Sequence, residues 1–229
     1  VSPKWMAPNA WGLYHRYRHV LRTICVFTIL TLAYVLHTLS RNVEEDNRCH
    51  MTYLLPFFKP VQVDVDTNLH LKKYQLYEYV ELTAPSEPKP TNSAQPVLYV
   101  PGHAGCKKQV RSLAGHASRA FRDYPIGLHF YTIDFLEELS ATHARLVLDQ
   151  ALFLNYCLRA ILKLYPAGTS LIVLAHSMGG IVSRAAPFMR NYPLRAISVL
   201  LTLSSPHLGL PLTPDRSMVQ FLRRINSAW

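Results

Sequence analysis

Apolar residues fall along this chain in two kinds of run, and the order of the runs predicts the architecture. Val97–Val100 and Leu171–Leu174 are continuous and too short for helices, the pattern of strands buried on both faces, and Ala196–Leu203 is a longer run of the same kind. Gln75–Leu82 and Leu128–Ile133 read as strands from their alternation and aromatic content. Between and after them come stretches with helical spacing: Lys107–Phe121, Ala144–Leu164 (with apolar Leu148, Leu152, Leu154, Leu158, Ile161 and Leu162), Met178–Met189 and Met218–Asn226. Pro85, Pro88 and Pro90 mark Ala84–Gln95 as a loop. Strands alternating with helices predict an α/β fold, a parallel sheet with helices on both faces. Ligands of such sheets gather at the carboxyl ends of the strands. The sequence puts three suggestive loops there: residues 101–105, Asp134 with Glu137 and Glu138, and Ser204–Gly209.

Thr23–Ser40 is a different kind of run, 18 residues without Asp, Glu, Lys or Arg. As a helix it is about 27 Å long at roughly 1.5 Å per residue, the thickness of a thin bilayer's hydrocarbon core. Thr23, Thr28, Thr31, His37 and Thr38 dilute it. Lys4, Arg16, Arg18 and Arg22 precede it, and Glu44, Glu45 and Asp46 follow. By the positive-inside rule the N-terminus stays in the cytosol and the remainder is translocated. The expected division is a basic cytosolic stub at 1–22, a transmembrane helix at 23–40 and a lumenal domain at 41–229. The chain begins with Val1 and ends inside a helical pattern, so it reads as a fragment, incomplete at the C-terminus.

Composition changes this picture little. Of 229 residues 49% are hydrophobic, enough for a core, and the net charge of +10 is spread without a Lys/Arg block or an aromatic-interleaved basic patch. That argues against a nucleic-acid partner. Cys25 falls in the membrane run, and Cys49, Cys106 and Cys157 show no CxxC spacing, so neither a zinc site nor a disulfide framework is predicted. No metal or other cofactor is expected.

The stretch from Leu171 to Gly180 carries the chemistry. Ser177 stands where the strand breaks into the Met178 helix, with small Ala175 and Gly179 two residues to either side. That is the nucleophile elbow of an α/β-hydrolase, G-x-S-x-G with Ala in the first position. Bulk at the flanking sites would collide across so sharp a turn. The helix aims free N–H groups and its positive dipole end at the reacting centre. An acyl-transfer serine also needs an oxyanion hole, a base and a group to orient the base. The hole is expected from the backbone N–H of Met178 and a second N–H from the loop after Val100, at His103 or Ala104. Beyond Ser177 the chain offers His207 and Asp215, in the wrong order for this fold. His176 is expected to be a packed or loop-facing residue, since neighbours on a strand point to opposite faces. Asp134 is expected to be structural or to orient substrate. The triad acid and base are accordingly expected beyond residue 229.

Pro96–Gly105, Lys108-Gln109-Val110-Arg111-Ser112-Leu113-Ala114, Tyr131–Leu139, Ile161–Tyr165, the elbow and Ser205-Pro206-His207 together resemble one family, the GPI inositol-deacylases of the endoplasmic reticulum (the PGAP1-like family). The resemblance covers most of residues 50–229. It implies an endoplasmic reticulum membrane serine hydrolase whose partners are GPI-anchored proteins and their acylated inositol lipid. Such an enzyme removes the inositol-linked acyl chain and so aids transport to the Golgi, with Ser177 as nucleophile by position. The sequence departs from the family at Ala175, where Gly is usual, and at His103 and Cys106, where Asn and Ser are usual. The alternatives are a lipase or esterase of another lipid, and a catalytically dead truncated form acting as a binding module.

Overall fold

A computed structural model describes residues 8–42, 53–65, 70–82, 91–121, 123–210 and 215–229. The chain divides into two compact units, Val1–Thr52 and Tyr53–Trp229.

The described residues of the first unit form one long helix, α1 (Pro8–Asn42). Within it Tyr17–Ser40 is long and apolar enough to cross a membrane. The hydroxyls that dilute the run each find an acceptor on the helix itself: Thr23 bonds His19 O, Thr28 bonds Ile24 O, Thr31 bonds Phe27 O, and Thr38 bonds Tyr34 O and Val35 O. A side-chain proton donated to the preceding turn is no longer an unsatisfied polar group.

The second unit is a six-stranded sheet: β1 (Pro56–Val61), β2 (Gln75–Glu81), β3 (Ala94–Val100), β4 (Gly127–Asp134), β5 (Leu171–His176) and β6 (Ile197–Leu203). The spatial order is β1-β2-β4-β3-β5-β6. The four strands β4, β3, β5 and β6 are mutually parallel, as the alternation with helices predicts. The first two correct the expectation of a wholly parallel sheet, because β1 pairs β2, and β2 pairs β4, antiparallel. Parallel strands are joined by a crossover that is usually a helix, and among the described residues no α-helix lies between β1 and β2 or between β2 and β3. β1 was not foreseen. Pro56 and Pro60 argue against a strand, yet an edge position tolerates residues that cannot donate to a ladder.

Alternation along the central strands sorts side chains to two faces. Tyr79, Val97, Tyr99, Phe130 and Leu174 pack with Ala114 of α2 (Arg111–Ala120) and with Val110 just before it. Leu76, Leu98, Val100, Tyr131, Ile133, Val173 and Ala175 face the larger core made with α3 (Ala144–Leu162), α4 (Met178–Ala185) and α5 (Arg216–Ala228). The stretch expected as one helix over Lys107–Phe121 begins as a 3-10 turn, Lys107–Val110, before α2. The helix expected to reach Met189 ends at Ala185, and a 3-10 turn containing Pro187 follows. On α5, Met218, Leu222 and Ile225 form the buried stripe. Its N-cap, Asp215, accepts from Ser217 N–H at 2.9 Å and, through its other oxygen, from Ala144 N–H at 3.2 Å, so one carboxylate serves the first turns of both α5 and α3.

Candidate active site

Ser177 joins β5 to α4 with φ 53° and ψ −122°, a backbone conformation L-residues rarely adopt. Such a conformation costs on the order of 1–3 kcal/mol and persists only where the surroundings enforce it. Here they do so from three sides. Ser177 N–H donates to Leu203 O of β6 at 2.8 Å, and Ser177 O accepts from Gly180 N–H at 3.1 Å. Across the turn, a Cβ on Gly179 would lie 2.4 Å from Val100 O, so the elbow seats against the end of β3 only because that position has no side chain. Ala175, the other flanking residue, is fully buried. Ser177 itself is half-buried, and no side chain among the described residues engages its hydroxyl.

The loop after β3 lies directly beside the serine. A Cβ on Gly102 would be 2.7 Å from Ser177 Cβ, 2.8 Å from His176 O and 3.3 Å from Met178 N. Met178 opens α4, so its N–H has no intrahelical acceptor. Of the two candidates for the second donor, Ala104 is occupied: its N–H donates to Glu138 O at 3.0 Å. That leaves His103, whose exposed ring accepts from Ala141 N–H through Nδ1 at 2.9 Å.

Strain concentrates at this end of the sheet. Among the described residues six non-glycine positions have positive φ, and five of them (Ala104, Leu136, Glu137, Ser177 and Ser204) lie in the loops at the carboxyl ends of β3, β4, β5 and β6. Clustering of this kind marks functional rims.

None of the other titratable residues singled out in the sequence hydrogen-bonds Ser177. The guanidinium of Arg184 donates to His207 Nδ1 at 3.1 Å, so that nitrogen is unprotonated and the remaining N–H, on Nε2, donates to Thr202 Oγ1 at 3.0 Å. Burial and then the Arg184 charge hold the His207 pKa below the ordinary imidazole value. His176 is half-buried, and its Nδ1 has no partner. Asp134 accepts from Leu136 N–H of its own loop at 3.0 Å and pairs at 3.4 Å with Lys107, at the start of the 3-10 turn before α2. Asp215 is a helix cap. Among the described residues no three His, Cys, Asp or Glu side chains come together as metal ligands. Sequence reasoning missed the arginine on His207 and the network around Glu138 described below, since both depend on residues far apart in the chain.

A parallel-centred sheet, helices on both faces and a strained serine at the β5–α4 turn define an α/β-hydrolase-type domain. Residues 91–229 match the PGAP1-like alpha/beta domain, and the chain belongs to that family. It is similar to the GPI inositol-deacylase of Neurospora crassa, 35% identical over 90% of this chain and 18% of that protein. The GPI inositol-deacylases of Schizosaccharomyces pombe (32% identical, 97% of this chain, 21% of that protein) and Mus musculus (34%, 81% and 21%) are similar in the same way. The chain spans about a fifth of the length of these curated relatives.

Proposed function

We propose that this chain carries the nucleophile-bearing part of a GPI inositol-deacylase, a serine hydrolase that cleaves the ester between a fatty acyl chain and the inositol ring of GPI-anchored proteins. The family and the names of its relatives support the substrate; the strained Ser177 turn, packed against Gly102, is the observation that supports the chemistry. In this reading Ser177 Oγ attacks the acyl carbonyl carbon. The oxyanion that forms takes hydrogen bonds from the N–H groups of Met178 and His103, each such donor being worth about 2.7–4 kcal/mol in the transition state. Collapse expels the inositol hydroxyl, and water then hydrolyses the acyl-serine. His176 and His207 are not assigned the proton transfer: neither hydrogen-bonds Ser177, and both His207 nitrogens are already bonded.

The substrate lies in a bilayer, and α1 supports a membrane setting for the enzyme. Residues 23–40, within the apolar Tyr17–Ser40 stretch, cross the endoplasmic reticulum membrane in this reading, with the basic flank on the cytosolic side and the hydrolase domain in the lumen. Deacylation there precedes forward transport of the anchored protein.

The test is Ser177→Ala in the full-length protein, expressed in cells lacking their own deacylase. Inositol acylation protects GPI anchors from phosphatidylinositol-specific phospholipase C. Wild type is expected to restore release of surface GPI-anchored proteins by that phospholipase, and the Ala variant to leave them resistant. Release restored by the Ala variant would refute the assignment.

A further inference from the structure

The loop beside Ser177 is held in place by its neighbour, residues 135–143. Ala104, at φ 52°, gives its N–H to Glu138 O, and Ala141 N–H reaches back to His103 Nδ1 at 2.9 Å. These two bonds hold the loop on one side while Gly102 packs against the elbow on the other. The holding segment is itself strained, with Leu136 and Glu137 in succession at φ 58° and 56°. The Glu138 carboxylate, 17% exposed, is what ties that segment down. It accepts from Lys73 Nζ and from Tyr74 OH (2.5 Å), both just before β2, and from Gln150 Nε2 (3.3 Å) on α3. Burial, reinforced by Glu138, pushes the Tyr74 pKa well above the ordinary tyrosine value, so the hydroxyl keeps its proton. The neighbouring acidic residues stand outside the network: Asp134 is bonded to Lys107, and Glu137 is exposed.

We infer that Glu138 is a positioning residue for the oxyanion pocket: by anchoring residues 135–143 to the start of β2 and to α3, it fixes the backbone of His103 and Ala104 beside Ser177. The Ala104 N–H is used up in this anchoring and the His103 N–H is left to the substrate. The inference rests on the reading of Ser177 as nucleophile.

A fluorophosphonate tests it on the full-length protein in detergent-solubilised membranes. The serine oxygen bonds to phosphorus, fluoride leaves, the serine proton passes to solvent, and the phosphoryl oxygen occupies the oxyanion pocket. The labelling rate at saturating probe, the half-saturating concentration and the thermal midpoint are measured together. Glu138→Gln is expected to lower the saturated rate roughly 10-fold to 100-fold, the scale of effect from small misplacements, with the half-saturating concentration within about twofold. Tyr74→Phe keeps the packed ring and removes one donor, and is expected to give a smaller drop of the same kind. It carries the test if Glu138→Gln does not fold. A saturated rate that stays at wild type, or that falls only as far as folded protein is lost, would overturn the inference. A wild-type protein that takes no label at Ser177 would overturn the nucleophile reading, and this inference with it.

Discussion

Ser177 and Gly102 are two ends of one steric constraint. The serine turn projects its side chain toward the strand-β3 loop, and the loop comes close enough that any side chain at Gly102 would overlap Ser177 Cβ and the His176 carbonyl. Neither neighbour is the free end of a flexible side chain, so relief must come from backbone movement of the loop or the elbow. Such a shift moves the His103 N–H relative to the serine while leaving the sheet intact. Gly102→Ala is therefore expected to keep the fold and slow fluorophosphonate labelling by about 100-fold, the scale of loss from a misplacement of about 1 Å. Labelling rate and circular dichroism on the same preparation check it. His103 shows the same principle from the opposite side: its ring accepts Ala141 N–H and so ties the loop to its neighbour.

At the scale of elements, α4 and β6 are joined by a polar contact that depends on a neutral imidazole. His207 sits between the Arg184 guanidinium of α4 and the Thr202 hydroxyl of β6, and Arg184 in turn lies 5.5 Å from the Trp229 ring at the end of α5. No carboxylate faces His207 in these contacts. Its folded pKa is lowered, so the unfolded chain binds the proton more readily. The stabilisation is full above the unfolded value near 6.5 and is lost as pH falls below it through the folded value. The thermal midpoint is expected to drop between pH 7.5 and 5.5, and His207→Gln to flatten that drop; equal slopes in the two proteins would refute the contribution. This contact also shows what the sequence could and could not reveal. Leu171–Leu174 and Val97–Val100 were legible as strands, and the Met178 helix as its successor, because burial on both faces leaves an unbroken apolar run. Strand direction has no such signature, so the antiparallel β1 and β2 were not foreseen, and the prolines hid β1 altogether. The elbow was legible because its chemistry is local. The bonds of Glu138, His207 and Asp215 join segments 12 to 71 residues apart in some cases and were invisible for that reason.

For the whole molecule the questions are what the sheet leaves uncovered and how the chain meets a bilayer. β6 has one hydrogen-bonded neighbour among the described strands, and Val199 and Leu201 remain about half exposed on it, an edge that natural proteins usually cover. Among the described residues α1 alone is long and apolar enough to cross a bilayer. Its threonines looked like dilution of an apolar run, but each donates to a carbonyl one turn back, so their cost in hydrocarbon is largely removed. Thr28→Val is then expected to change membrane retention little. A charge has no such remedy. Ile29 lies near the middle of Tyr17–Ser40, too far from either end for an arginine to reach the interface readily. There an arginine costs about 2.5–3.5 kcal/mol on an insertion scale, against about 0.3–0.6 kcal/mol gained by each Leu, Ile, Phe or Val. Ile29→Arg therefore cancels the gain of several apolar residues in a run already diluted. It is expected to move a large share of the protein into the alkaline-extractable fraction of microsomes, while Thr28→Val stays with the pellet. If the arginine variant resists extraction as wild type does, residues 23–40 do not span the bilayer.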